Sequence, residues 1–218
     1  MVLVTGLGRC GTSILMRCLK EIGFYIGANC VWDDKIRAGY ELPVVANINF
    51  VMCRDYFRKG NPINLDDYVL NHSGKPFNWT YRQAIGMVDE KGFIKVIKDP
   101  RFTWYPDIVE AWWSVRQDFK LIICHRDIES VVKSRNMMPK EHSDLKNRGS
   151  LQYKEDFADF FTKVLQLEIP YETLFFPNFL RNFKSTYNVL EKVGLHFDYD
   201  LGKKVWDCLI DRELLKET

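Results

Sequence analysis

Short apolar runs alternate along the chain with segments whose apolar residues recur at helical spacing. Three of these runs, residues 2–5, 93–97 and 119–124, predict buried strands. The first run is followed by a helical pattern from Ser13 to Ile22, which Gly23 is suited to end. Alternation of strand and helix is typical of a parallel sheet covered by helices on both faces. The sequence therefore predicts an α/β fold, a three-layer sandwich around a central parallel sheet.

The rest of the pattern predicts further helices and one edge strand. Helices are expected from about residue 43 and over residues 78–90, 102–115, 127–135 and 153–165, followed by two terminal helices, the first running from Pro177 to Gly194. A short edge strand is expected over residues 167–171. The polar stretch 137–150 is expected to form a surface loop or lid. No repeat or low-complexity linker divides the sequence, so residues 1–218 are treated as one domain.

Composition and charge narrow the classes of function. The 31 Lys and Arg residues nearly balance the 29 Asp and Glu residues, so the net charge is only +2 and nucleic acid is not an expected partner. No apolar run reaches 18 residues, so no membrane span is expected, and no secretory leader precedes the first motif. The six cysteines form no C-x-x-C pair and are expected to be reduced core thiols of a cytoplasmic protein.

A glycine-rich loop is the sharpest chemical feature. Between the first strand and the first helix the sequence reads Gly6-Leu-Gly-Arg-Cys-Gly-Thr-Ser13. Backbone N–H groups of such a loop, with the partial positive charge of the helix N-terminus, form a phosphate cradle. The spacing is that of the P-loop G-x-x-x-x-G-K-[ST], except that Thr12 replaces the lysine and Arg9 supplies a cation. A P-loop-like phosphate site is favoured over a ligand-free turn. A dinucleotide loop is disfavoured, since no clear second strand carries the acidic residue it needs.

A second anion site is predicted where the strand over residues 119–124 ends. Arg126, Ser130 and Ser134 are spaced four residues apart and share one face of the following helix. An arginine and a hydroxyl so placed can hold an anion by charge-assisted hydrogen bonds. The alternative is a solvated helix face. His125, which closes the strand, is interpreted as a structural residue.

These two motifs together resemble the sulfotransferases that depend on 3′-phosphoadenosine 5′-phosphosulfate (PAPS). The 5′-phosphosulfate loop of that family reads G-x-x-[KR]-[SC]-G-T-[ST], which matches the loop from Gly6 to Ser13. The resemblance implies that this loop binds the donor, with contacts from Gly8, Arg9, Cys10, Gly11, Thr12 and Ser13. The family's 3′-phosphate motif is an arginine at a strand end and a serine eight residues later, matching Arg126 and Ser134.

Three weaker likenesses extend the resemblance. Residues 169–174 resemble the Y-E-[DT]-L element, whose tyrosine, here Tyr171, commonly lies near the adenine. Residues 96–101 resemble the K-D-P-R strand end of bacterial members, and residues 39–47 their G-[FY]-x-E-N segment, shortened by one residue. The R-K-G nucleotide loop of the cytosolic animal enzymes is absent from the sequence, so the resemblance is closer to bacterial members.

The resemblance implies sulfuryl transfer from PAPS to a hydroxyl or amine of a small-molecule or carbohydrate acceptor, without a metal. An in-line displacement needs cations on the developing charge and a base for the acceptor proton. Arg9 and Lys98 fit the cation roles. Glu41 is the first candidate for the base, because acidic residues of this segment serve as base in related families. Asp99 is the second, although Asp99-Pro100 also suits the start of a helix.

Two other functions remain open from the sequence. A P-loop kinase of a small metabolite would hold Mg²⁺ on Ser13 and an acidic strand end such as Asp99. Thr12 in the lysine position and the 3′-phosphate motif count against it. A noncatalytic nucleotide-binding module that has kept the loop and lost the base would show the same motifs.

Overall fold

The structure, a computed structural model, describes residues 1–33, 38–56, 61–70, 75–89, 92–137 and 149–210. The strands are β1 (Val2–Gly6), β2 (Trp32–Asp33), β3 (Ala38–Gly39), β4 (Tyr68–Leu70), β5 (Pro76–Thr80), β6 (Val96–Lys98), β7 (Lys120–His125) and β8 (Tyr171–Phe175). The helices are α1 (Thr12–Ile22), α2 (Pro43–Asp55), α3 (Tyr81–Met87), α4 (Arg101–Trp104), α5 (Pro106–Val115), α6 (Ile128–Asn136), α7 (Ser150–Gln166), α8 (Asn178–Arg181), α9 (Phe183–Lys192) and α10 (Tyr199–Leu209). Residues 138–148, most of the predicted loop or lid, lie outside the described ranges.

A parallel sheet of four strands in the order β6-β1-β7-β8 forms the centre of the fold. Strands β1 and β7 are almost entirely apolar and buried, as expected for a sheet flanked by helices. Val4 of β1 is in register with Lys98, and Gly6 with Cys124. The carboxyl ends of β1, β6 and β7 therefore meet at one edge. The predicted α/β fold with a central parallel sheet is confirmed.

Helices cover the sheet with their apolar faces. Helix α1 packs against β1 and β6 and is itself contacted by α10. Helices α4, α5 and α7 pack against one another, and α4 also contacts β1. The fully buried rings of Phe102 and Trp112 meet edge to face with centroids 5.4 Å apart. Burial of large aromatic rings contributes more apolar contact area per residue than any aliphatic side chain.

Three predicted helices differ from the structure, and one of them, expected from Pro177 to Gly194, is divided at Asn182 into α8 and α9. The helix expected over residues 78–90 is preceded by strand β5 and begins only at Tyr81, where Thr80 and Gln83 form a capping box. The helix expected over residues 102–115 is divided into α4 and α5. Tyr105 lies outside both helices and Pro106 opens α5, because proline lacks the N–H that a continuous helix would need.

The predicted edge strand is displaced along the chain. Residues 167–169 complete the end of α7: the Leu167 N–H donates to the Lys163 carbonyl at 3.0 Å, and Glu168 has a left-handed φ of 53°. Strand β8 then begins at Tyr171, the residue at which the edge strand was expected to end. This shift changes which side chains of β8 reach the carboxyl edge of the sheet.

Two features of the structure concern the predicted reduced state of the cysteines and the predicted lack of a membrane span. None of the six cysteines forms a disulfide; five of them are buried and Cys208 is exposed. Within the described ranges, no helix combines the length and apolarity needed to cross a membrane.

Candidate functional site

The glycine-rich loop connects β1 to α1 and has a strained, tightly packed backbone. Gly8, Arg9 and Gly11 have left-handed φ angles of 77°, 59° and 81°. A Cβ at Gly8 would lie 2.4 Å from the Arg135 guanidinium, and a Cβ at Gly11 would lie 2.4 Å from the Phe176 ring. Glycine is therefore required at both positions for conformation and for space.

Several N–H groups of the loop donate no hydrogen bond to the residues that the structure describes. They are those of Gly8, Cys10 and Gly11. Gly8 and Cys10 are buried, and buried backbone N–H groups are almost always paired in folded proteins. The N-terminus of α1 adds partial positive charge beside them. A loop with this geometry and charge is suited to an anion.

Two predicted anion motifs, far apart in sequence, meet at this loop. The Arg9 Nε donates to the Ser134 Oγ at 3.0 Å, and the Arg126 Nη1 donates to the Arg9 carbonyl at 3.1 Å. The Arg126 guanidinium also lies over the Phe176 ring, 5.0 Å from its centroid. Burial lowers the pKa of Arg126, which nevertheless remains charged near neutral pH. Arg9, Arg126 and Ser134 therefore form one positively charged cluster.

Ser130 also takes part in the start of α6. Its backbone N–H donates to the Asp127 carboxylate at 2.9 Å, which caps the start of α6.

Lys98 joins three segments at the carboxyl end of β6. Its ammonium donates to the Ser13 Oγ at 3.0 Å, to the Gly39 carbonyl at 2.8 Å and to the Glu41 Oε1 at 2.6 Å. The Lys98 side chain is 3% exposed, whereas that of Glu41 is 33% exposed. The Ser13 hydroxyl also accepts from the Gly39 N–H at 3.2 Å. The structure thus places the predicted cation and the first candidate base in direct contact, beside the end of the loop.

Asp99 is held by a buried set of donors. Its carboxylate accepts from the Arg101 backbone N–H at 2.8 Å, from the Arg101 Nη1 at 2.9 and 3.0 Å, and from the Asn49 Nδ2 at 3.2 Å. Burial raises the pKa of the Asp99 carboxyl, while the charge of Arg101 opposes that shift. The bond to the Arg101 N–H lies at the start of α4, whose N-cap residue is Pro100, so the Asp99 carboxylate restrains the chain where that helix begins. Asp99 is fully buried, in contrast to Glu41.

The structure does not bring Tyr171 to the loop. Tyr171 is the first residue of β8 and is in register with Leu121, three residues before Cys124, the partner of Gly6. At about 3.3 Å per residue, Tyr171 lies roughly 10 Å before the edge where the anion motifs meet. The aromatic side chain next to the loop is that of Phe176, which directly follows β8.

His125, interpreted from the sequence as a structural residue, packs among aromatic rings of α7. Its ring packs against Phe157 and Phe161, with centroids 4.8 and 5.7 Å away. Burial lowers the pKa of His125.

Sequence reasoning missed three side chains around the loop: Trp104, Arg135 and Phe176. Trp104 and Arg135 both donate to the Leu7 carbonyl, at 3.0 and 2.9 Å. None of the three belongs to a periodic pattern or a motif with known spacing. The one available signal was the position of Arg135 directly after Ser134.

Comparison with solved structures identifies the fold that carries this site. The chain is similar to the sulfotransferase domain from the curacin biosynthetic pathway, with a TM-score of 0.55 and 13% identity over 92% of this chain and 76% of that one. It is also similar to the sulfotransferase domain of the Synechococcus PCC 7002 olefin synthase, with a TM-score of 0.54 and 13% identity over 99% of this chain and 82% of that one.

A third similar structure is the sulfotransferase STF1 of Mycobacterium tuberculosis H37Rv, with a TM-score of 0.50 and 12% identity over 99% of this chain and 75% of that one. No family model matches the sequence, and no curated protein matches it. The chain therefore has the sulfotransferase fold of bacterial type, as the motifs predict, at a low level of sequence identity.

Proposed function

We propose that this protein is a sulfotransferase that moves the sulfuryl group of PAPS to a hydroxyl or amine of a small-molecule or carbohydrate acceptor. The observation that carries the proposal is the contact of Arg9 with Ser134 at 3.0 Å. It joins the loop suited to the phosphosulfate with the helix suited to the 3′-phosphate, two sites that only a nucleotide with phosphates at both positions would use together.

The donor's two charged ends have separate partners in this proposal. The 5′-phosphosulfate lies on the N–H groups of Gly8, Cys10 and Gly11, with contacts from the hydroxyls of Thr12 and Ser13. The 3′-phosphate is held by Arg126 and Ser134. Arg9 lies between them and neutralises both. Arginine suits this role because its planar guanidinium binds phosphate oxygens by charge-assisted hydrogen bonds in a fixed geometry.

Transfer is an in-line displacement at sulfur. The acceptor oxygen or nitrogen forms a bond to sulfur, the bond from sulfur to the 5′-phosphate oxygen breaks, and the electron pair leaves with 3′-phosphoadenosine 5′-phosphate (PAP). Glu41 takes the proton that the acceptor loses. Lys98 and Arg9 stabilise the charge that develops on the sulfonate and leaving oxygens.

The kinase alternative fits these residues less well. Magnesium on Ser13 would lie beside the Lys98 ammonium, which is 3.0 Å from the same hydroxyl. The acidic strand end, Asp99, is fully buried and is already bonded by Arg101 and Asn49. Among the described residues, no group of three His, Cys, Asp or Glu side chains is arranged to hold a metal. The lack of disulfides among the six cysteines further supports a reducing, cytoplasmic location, which is part of the proposal.

A thermal-shift comparison of ligands tests the proposal. A ligand present at a hundred times its Kd stabilises the folded state by about 2.7 kcal/mol. PAP is expected to raise the melting temperature, and ATP with Mg²⁺ is not. The opposite result would establish the kinase. Stabilisation by PAP without turnover of PAPS across a library of alcohols, sugars and amines would instead indicate a noncatalytic module.

A further inference from the structure

We infer that Trp104 and Arg135 are positioning residues of the donor site: they hold the Leu7 carbonyl away from the anion site of the loop and thereby aim the Gly8 N–H at the bound phosphate. The inference rests on the proposed anion-binding role of the loop. It adds two residues that the motifs do not assign.

The geometry of one peptide unit is the first step. The Leu7 carbonyl accepts from the Trp104 Nε1 at 3.0 Å and from the Arg135 Nη2 at 2.9 Å. In a planar trans peptide the C=O and the following N–H point in opposite directions. With the carbonyl fixed on Trp104 and Arg135, the Gly8 N–H points away from them. Gly8 is buried, and its N–H donates no hydrogen bond within the described ranges.

The next two peptide units are held in the same manner. The Cys10 Sγ donates to the Gly8 carbonyl at 3.3 Å, and the Arg126 Nη1 donates to the Arg9 carbonyl at 3.1 Å. Three successive carbonyls of the loop are therefore each fixed by a side-chain donor. A loop with positive φ at Gly8 and Arg9 needs such restraint, because its peptide planes are not held by a helix or sheet. The Leu7 carbonyl is the most restrained of the three, since two donors bind its oxygen and one donor binds each of the others.

Arg135 is itself fixed before any ligand binds. It is 7% exposed, and its guanidinium lies 4.6 Å from the Trp104 ring centroid and 5.5 Å from that of Tyr153. Gly8 allows this approach, because a Cβ there would lie 2.4 Å from the Arg135 Nη2. The buried positive charge next to Gly8 also favours an anion in the loop. Arg135 therefore contributes both orientation and charge.

The test uses variants that remove these donors one at a time. Trp104→Phe keeps an aromatic ring beside Arg135 and loses the indole N–H. Trp113→Phe is the matched control, because Trp113 packs on Phe119 and its indole N–H makes no hydrogen bond within the described ranges. Arg135→Met removes the charge and the donor, and Arg135→Lys restores the charge with a simpler donor.

Two readouts are needed: the Kd for PAP and the amide resonance of Gly8 in protein labelled with ¹⁵N-glycine. We expect Trp104→Phe to raise the Kd by about two- to tenfold, the worth of one hydrogen bond, and Trp113→Phe to leave it unchanged. Arg135→Met should raise it further, with partial recovery in Arg135→Lys. The shift of the Gly8 resonance on adding PAP should shrink in the same order, which a general loss of stability would not produce.

Inorganic pyrophosphate separates this inference from the proposed function. A Gly8 shift in the wild-type protein with pyrophosphate but not with PAP would support the positioning role and remove the proposed donor. Wild-type PAP affinity in both Trp104→Phe and Arg135→Lys, with an unchanged Gly8 shift, would overturn the inference. So would a Gly8 resonance that responds to neither ligand in the wild-type protein.

Discussion

The Lys98 ammonium and the Glu41 carboxylate form an ion pair of 2.6 Å, in which the lysine is almost fully buried and the carboxylate is partly open to solvent. The other two bonds of Lys98 go to Ser13 and Gly39. All three ammonium protons are therefore in use. In the proposed reaction, a sulfonate that binds Lys98 must compete with Glu41, and its arrival releases the carboxylate to accept the acceptor's proton.

The first prediction concerns Glu41 as base. Glu41→Gln keeps the shape and removes the proton acceptor, so transfer should fall by about 10²–10⁴-fold while PAP still binds. Because glutamine competes less strongly for Lys98, the variant should bind PAPS about two- to tenfold more tightly relative to PAP. Steady-state rates and titrations of both nucleotides measure the two effects.

A matched variant separates this effect from the loss of any surface ion pair. Glu172 pairs with Lys192 at 3.4 Å on β8, away from the loop, so Glu172→Gln should change neither quantity. Full activity in Glu41→Gln would rule out Glu41 as the base.

The second prediction assigns Asp99 a structural role. Asp99→Asn retains a side-chain oxygen for the Arg101 N–H but weakens the buried interaction with the Arg101 guanidinium. The variant should lose about 1–3 kcal/mol of unfolding free energy and keep its turnover number. Denaturant unfolding and rates at saturating donor are the measurements. A stable but inactive Asp99→Asn, beside an active Glu41→Gln, would move the base to Asp99.

The third prediction concerns the 3′-phosphate. Arg126→Ala and Ser134→Ala should weaken PAP binding far more than binding of adenosine 5′-phosphosulfate, which lacks that phosphate. A charge-assisted bond from the arginine is worth about 1.5–3 kcal/mol. Isothermal titration with both nucleotides tests this. Equal losses for the two ligands would show that the pair does not recognise the 3′-phosphate.

The fourth prediction is that transfer does not require a divalent metal. A sulfonate carries less negative charge than a terminal phosphoryl group, and Arg9 and Lys98 supply the neutralisation. Activity should survive extensive treatment with a chelator. If the chelator abolished activity and added Mg²⁺ restored it, the kinase would become the favoured function.

The fifth prediction is a pH dependence of stability due to His125. Burial lowers its pKa in the folded protein, whereas the unfolded chain takes up the proton near the ordinary value of about 6.5. The contribution of the neutral, buried His125 to the free energy of unfolding is therefore present above pH 6.5 and is lost as the pH falls through the folded-state pKa. Urea unfolding from pH 7.5 to 5 should show a steeper decline for the wild-type protein than for His125→Gln. Identical slopes would contradict the assignment.

Sequence patterns predict the features whose motif or periodicity lies within one short stretch of the chain. The loop and the pair Arg126 and Ser134 have fixed spacings around a strand end, and hydrophobic periodicity placed β1 and β7. Thr80 and Gln83 form a capping box that marks the true start of α3, a local signal overridden by the apolar pattern around it. Pro106 likewise marks the break between α4 and α5.

Other features depend on contacts between distant segments. The start of β8 is one of them: the edge strand predicted over residues 167–171 begins only at Tyr171, because residues 167–169 complete the turn that ends α7. A place for Tyr171 near the adenine stays a prediction. The bonds of Trp104 and Arg135 to Leu7 join residues 97 and 128 positions apart. No periodicity encodes such bonds, because they follow from how packed helices meet the loop.

In the proposed function, the order of the strands separates the reacting end of the donor from its nucleoside. Strand β1, which leads into the loop, lies between β6, which ends in Lys98, and β7, which leads into Arg126. A donor bound across the loop would place its reactive end over β6 and its nucleoside over β7. Substitutions in the segments around Glu41 can then change the acceptor preference, while the residues proposed to bind the nucleotide, on the β7 side of β1, stay unchanged.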